Sequence, residues 1–141
     1  MKTVKYLRDG FTAAVIAGNV KTVKTMLNTI PKFNPGFEDS VVVSVCCRNK
    51  RTKILKLLLK DPRIDPSANN NQAISFAAMF NDADSIELLL NDDRILKTLD
   101  NSFLYDSYKK ELINKILVDV LIKKYDYINT VEEVELYLQM L

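Results

Sequence analysis

The sequence predicts an all-α protein built as a row of helix pairs, and two observations predict it. Three stretches, Ala13 to Leu27, Val45 to Leu59 and Phe76 to Leu90, superpose at offsets of 32 and then 31 residues. At matching positions apolar answers apolar: Val23, Leu55 and Ile86; Met26, Leu58 and Leu89; Leu27, Leu59 and Leu90. A near-constant period of this length marks stacked helical units, because one helix pair cannot bury its apolar face alone whereas a row of pairs can.

Each unit reads as a short helix, a turn, a second helix and a polar connector. The turns fall at Gly18 and Asn19, at Lys50 and Arg51, and at Asn81 and Asp82. Gly and Asn accept the left-handed conformation that ends a helix, so Lys50 is the departure, and a strained or longer turn is expected there. The connector after the second unit, Asp61 to Asn71 (DPRIDPSANNN), reads as an ordered loop in which Pro62 stops the preceding helix and Ile64 tucks inward. Its counterpart after the first unit uses Pro31, Pro35 and Gly36 in the same way, and the one after the third has Asp93 in place of proline. Residues 102–141 leave the period. The stretch Phe103 to Lys124 contains no turn signal and reads as one helix of about 33 Å, with Tyr108, Leu112, Ile116 and Val120 on one stripe and Ile113, Leu117 and Leu121 beside it. A last helix is expected over Val131 to Met140, begun by a capping box of Thr130 and Glu133. These helices would cover the open end of the row.

The small residues of the first helix, the Gly or Asn turn, the VKxLL-type second helix and above all DPRIDPSANNN together resemble the ankyrin repeat. More narrowly they resemble the 31-residue variety found in proteins of large DNA viruses and some phages. The resemblance covers about residues 10–101 and implies a solenoid of three degenerate repeats, about 10–36, 37–70 and 71–101, closed by a helical cap over 102–141. The TPLH tetrapeptide of the standard repeat survives only as Gly10 to Ala13, Val42 to Val45 and Ala73 to Phe76. With no histidine in the chain, its hydrogen bond is expected to pass to Thr12, Ser44 and Ser75 or to be omitted.

Composition narrows the class. The chain has 141 residues, 48% apolar and 27% charged, an ordinary balance for a globular domain. Its apolar runs are far shorter than the roughly 20 residues of a membrane span, and MKTVKYLRDG lacks the apolar core of a signal peptide. A cytoplasmic location is therefore expected, in the host cell if the viral resemblance extends that far. Cys46 and Cys47 are adjacent, unsuited to bridging one another, and Cys46 falls in a slot held by Ala14 and Ala77 in the other units, so both read as packed thiols. The net charge of +2 conceals a polarity: residues 1–63 carry 13 Lys and Arg against four acids, net +9, and residues 64–141 carry seven against 14, net −7. The molecule should be a dipole along its length.

No histidine, glycine-rich phosphate loop or metal-type cysteine spacing is present, and the acid pairs Asp92 with Asp93 and Glu132 with Glu133 are sequence neighbours that point apart on a helix. The expectation is no enzyme, no metal and no cofactor. The resemblance implies instead a protein partner, met by hairpin tips and by the exposed ends of the first helices. Carried over by position these are Ile16, Arg48, Asn49, Met79 and Phe80, with Arg63 and Asp65 in the connector supplying polar specificity. Met79 and Phe80 are the expected apolar anchors, unless the helix is rotated so that Phe80 packs under the neighbouring unit or the C-terminal helix. The basic run Arg48 to Lys60 is offset against Asp82, Asp84 and Glu87 one unit on, so it is expected to pair across the seam more than to bind nucleic acid, and no aromatics are interleaved for base stacking. Two rivals stand beside the monomeric protein binder: a nucleic-acid binder using Lys53 and Lys56, and a self-associating protein pairing through Phe103, Tyr105 and the long helix.

Overall fold

In a computed structural model, which describes residues 2–30, 32–99 and 107–140, the chain is all α-helical, with nine helices and no strand among the described residues. They are α1 (Lys2–Ala17), α2 (Val20–Thr29), α3 (Phe37–Arg48), α4 (Thr52–Leu59), α5 (Ala68–Met79), α6 (Ala83–Leu90), α7 (Asp93–Leu96), α8 (Ser107–Lys124) and α9 (Val131–Met140). Pro31, Phe103 and Tyr105 lie outside the described residues, as does the side chain of Tyr108.

The helix-to-helix turns repeat in register. Gly18, Lys50 and Asn81 all have positive φ, at 74°, 55° and 56°. After each, the chain enters a second helix. Asn19 caps α2 by accepting from the Thr22 N–H at 3.0 Å, and Asp82 caps α6 by accepting from the Ser85 N–H and hydroxyl. Arg51, at the same place before α4, makes no side-chain cap. A second set of left-handed residues recurs 31 positions apart, at Glu38, Asp39 and Ser40 and again at Asn69, Asn70 and Asn71. Within α3 and α5 only the stretch after these residues is regular right-handed helix. The three asparagines suit this conformation, which a Cβ otherwise resists.

Among the described residues Ser40 and Asn71, not Thr12, Ser44 or Ser75, carry the side-chain hydrogen bonds near the start of the first helices. Both are buried; the Asp65 N–H donates to Ser40 Oγ at 2.8 Å, and Asn71 Nδ2 donates to the Thr98 carbonyl at 3.2 Å.

Packing follows the same order. α1 packs on α3 and α3 on α5, while α2 packs on α4 and α4 on α6. The matched apolar positions Val23, Leu55 and Ile86 are fully buried, as are Phe11, Ile54, Leu58, Ile74 and Leu89. Phe33 and Ile64, both connector residues, are buried too, and Phe33 joins Phe11 and Phe37 in a cluster with ring centroids 5.0 to 6.5 Å apart. A side chain of this size contributes roughly 1.5–3 kcal/mol on full burial, so this row of core positions holds the helices together.

Two sequence expectations change. The third connector contains the short helix α7, because Asp92 caps it by accepting from the Arg94 N–H at 3.0 Å. The ion pairs expected between α4 and α6 give way to others. Among the described residues the pairs are Arg8 with Glu38, Arg63 with Asp61, Arg94 with Asp92 and Lys124 with Asp93. The physical reason is competition. Arg51 donates instead to the Ile16 carbonyl, through Nε at 2.9 Å and Nη2 at 2.6 Å, and Asp82 is committed to Ser85.

At the C-terminal end α8 packs on α5 and α6 and carries α9. Its buried line is Ile113, Leu117, Val120 and Leu121. Lys124, in its last turn, pairs with Asp93, the residue standing where the earlier connector has Pro62. The capping box forms as expected: the Glu133 N–H donates to Thr130 Oγ1 at 3.2 Å and the Thr130 N–H to Glu133 Oε2 at 3.0 Å.

Lys50 pays the left-handed penalty that Gly18 avoids, about 1 kcal/mol for a residue with a Cβ. Lys50→Gly should therefore raise stability by up to about 1 kcal/mol, read as a higher urea midpoint at unchanged slope, whereas Gly18→Ala should lower it.

Candidate protein-binding face

The last turn of each first helix ends at a left-handed residue, so the side chains just before that residue are turned away from the second helices. Three rows result: Ala13, Val45 and Phe76; Ile16, Arg48 and Met79; Ala17, Asn49 and Phe80. Met79 is 53% exposed, Ile16 46% and Phe80 37%. Phe76 and Phe80, one helical turn apart, lie with centroids 6.5 Å apart. Exposed apolar side chains thus stand at the ends of α1 and α5, with Arg48 and Asn49 between them at the end of α3.

The N-terminal part of this face widens into a groove of about 850 Å³ between α1 and α3. The cause is local. In α3 the residues Glu38 to Ser40 turn left-handed, whereas at the corresponding place α1 runs on as regular helix and projects its first two turns past the unit. Val4, Ile16, Val41 and Val45 line the groove, with Arg8 and Glu38 at its edge, 4.0 Å apart. The Arg8 guanidinium also sits 5.3 Å from the centre of the Phe37 ring.

The seven candidate residues divide in two. Ile16, Arg48, Met79 and Phe80 are exposed on the first-helix face. Asn49, Arg63 and Asp65 have partners inside the chain. Asn49 Nδ2 donates to the Val45 carbonyl at 2.7 Å, and Asp65 accepts from the Ser67 N–H at 2.9 Å and hydroxyl at 2.6 Å. Arg63 is engaged on every side. It forks onto Asp61, through Nε at 2.9 Å and Nη2 at 2.6 Å, and donates to the carbonyls of Phe33 at 2.9 Å and Leu27 at 3.1 Å. Arg94 repeats the arrangement 31 residues later, on Asp92 and on the carbonyls of Ile64 at 2.6 Å and Leu59 at 2.8 Å. Leu27 and Leu59 lie in the last turns of α2 and α4, whose final carbonyls have no partner within the helix. Each arginine therefore fastens its connector to the second helix of the preceding pair, Arg63 to α2 and Arg94 to α4.

Sequence reasoning missed the groove residues Val4, Val41 and Val45. Val41 and Val45 belong to an apolar run that reads as core, and Val4 lies before the first recognised repeat. The signal for Val4 was the spacing Val4, Leu7 in MKTVKYLRDG, an apolar pair on one side of a helix.

The cysteines are poor nucleophiles here. Burial pushes the Cys46 thiol up to about 12 and raises that of Cys47 as well. Among the described residues no three His, Cys, Asp or Glu side chains are grouped to hold a metal ion, and no helix is long and apolar enough to cross a membrane.

Comparison with known proteins returns nothing: no protein-family model, no curated protein and no solved structure matches the chain.

The Asp61 carboxyl is held below its ordinary value of 3.8, chiefly by the hydrogen bonds from the Arg63 side chain. A depressed carboxylate contributes stability that is complete above 3.8 and lost as the pH falls through the lower folded-state value. Arg63→Ala should cost about 1–3 kcal/mol near neutral pH and should flatten the acid loss, as measured by urea unfolding at a series of pH values. Arg63→Lys should recover little, because a point charge cannot reproduce the planar fork.

Proposed function

We propose that this chain is a non-catalytic protein-binding module, an ankyrin-like solenoid of three repeats whose exposed first-helix face receives a protein partner. Support for the solenoid comes from three features that recur at 31 or 32 residues: the left-handed turn residues Gly18, Lys50 and Asn81, the left-handed triplets near the start of α3 and α5, and the Asp61–Arg63 and Asp92–Arg94 forks. In such an array the first helices line the concave side. The observation that carries the binding reading is the exposure of Met79 and Phe80 side by side, in line with Ile16 two units earlier.

Large apolar side chains left in water at the ends of α1 and α5 favour contact with another protein, and aromatic and Met side chains dominate such contacts energetically. Arg48, between Ile16 and Met79 in the same row, is placed to fix orientation through charge. Arg63 and Asp65 belong in this reading to the scaffold that holds the face in shape. If the viral resemblance extends to role, the partner is a host protein.

The nucleic-acid alternative rests on Lys53, Lys56 and Lys60, all exposed on or just after α4. It lacks aromatic platforms beside them, so the protein partner is preferred.

A double variant, Met79→Lys with Phe80→Glu, tests the reading. Both positions are solvent-facing, so circular dichroism and the urea midpoint should stay near native. Affinity capture from cell extract should then lose a protein that the native chain retains. Identical captured sets from native and folded variant chains would contradict the anchor role, and binding lost only on Lys53→Ala with Lys56→Ala, with a steep salt dependence, would favour nucleic acid.

A further inference from the structure

We infer that the groove between α1 and α3 accepts α9 of a second copy of this chain, so that the protein associates head to tail. This goes beyond the proposed partner-binding face, whose anchors Met79 and Phe80 lie at the other end of the first-helix row.

The groove is open and apolar, lined by Val4, Ile16, Val41 and Val45, and it exists because α1 continues two turns beyond the point where α3 bends away. Those two turns, Lys2 to Arg8, carry Lys2, Lys5 and Arg8; of the two acids that also line the groove, Asp9 and Glu38, Glu38 is paired with Arg8. At the opposite end of the chain α9 has the complementary character. It carries Glu132, Glu133 and Glu135 and no base. Val134 seats it on the rest of the molecule, while Leu136 at 61% and Met140 at 86% exposure stand one turn apart on its outer side, in line with Glu132. An acidic helix bearing an apolar i, i+4 pair suits an apolar groove set in the basic half of a chain, anchored by the pair and steered by the net charge of that half.

The whole-chain polarity acts in the same direction. The half that holds the groove carries +9 and the half that holds α9 carries −7, so like ends repel and unlike ends attract. Groove and helix are different surfaces, and a contact between them is heterologous, each copy keeping one groove and one α9 for further neighbours. Within one copy, α9 is separated from the groove by α5, α6 and α8, the elements on which the C-terminal helices pack.

The test is sedimentation velocity and light scattering on the full chain at low salt, from about ten to several hundred micromolar, with two variants. Val4→Asp with Lys5→Glu spoils the groove, and Leu136→Lys with Met140→Lys spoils α9. All four positions are exposed, and none of Ile16, Arg48, Met79 and Phe80 is touched, so failure here is distinct from failure of the partner-binding reading. The native chain should grow in mass with concentration and dissociate as salt is raised. Each variant alone should remain monomeric, and an equimolar mixture of the two should form a one-to-one pair, since the mixture restores one intact groove facing one intact α9. A native chain that stays monomeric throughout overturns the inference. So does association that survives either variant, or a mixture that stays monomeric.

Discussion

Helix ends govern this molecule. The last carbonyls of an α-helix have no partner within the helix and carry the negative end of its dipole, and here three of them are met by arginines some 35 residues further along the chain, one helix pair on. Arg51 donates to the Ile16 carbonyl at the end of α1, Arg63 to that of Leu27 near the end of α2, and Arg94 to that of Leu59 at the end of α4. A guanidinium suits the task because its planar fork bonds a carboxylate on one edge while its remaining N–H groups reach carbonyls on another. Asp61 and Asp92, two residues before Arg63 and Arg94, supply that carboxylate and hold the fork in position.

The left-handed residues complete the constraint. Positive φ at Gly18, Lys50 and Asn81 closes each helix pair tightly, and the triplets beginning at Glu38 and Asn69 swing each connector back so that the next first helix starts beside the last. Gly36 marks how close this approach is: a Cβ there would lie 2.2 Å from the Arg63 carbonyl oxygen. Backbone geometry thus delivers Arg63 to Leu27 and Phe33, and the fork in turn fixes the connector. The exposed ends of α1, α3 and α5 are aligned as a consequence, which places Ile16, Arg48 and Met79 in one row.

The period made the core legible, because Val23, Leu55 and Ile86 have to repeat if helix pairs stack. Turn positions were legible for the same reason, and the Thr130–Glu133 capping box because it is a purely local signal. The partners of Arg51 and Arg63 were not. Comparing units pairs Arg51 with Asp82 by position, but a backbone carbonyl carries no residue identity and so leaves no mark in a sequence comparison. The repeated Asp-x-Arg at 61–63 and 92–94 was present to be seen, yet its spacing is equally compatible with a solvent-facing specificity pair. The groove was hidden for a different reason. It depends on α1 continuing where α3 bends, a difference between units that a search for likeness passes over.

Among the described residues α1 packs on α3 and α2 on α4, while α4 packs on α6, so a change at the end of α4 should act locally. The most direct measurement is amide hydrogen exchange by mass spectrometry on the native chain and an Arg94→Ala variant under identical conditions. If connectors are fastened to the preceding helix by their arginines, exchange should rise in α4, α6 and α7 while α1 and α2 keep their native rates. An even rise across the whole chain, or no change at the end of α4, would contradict the view that arginine contacts to helix ends hold the units in line.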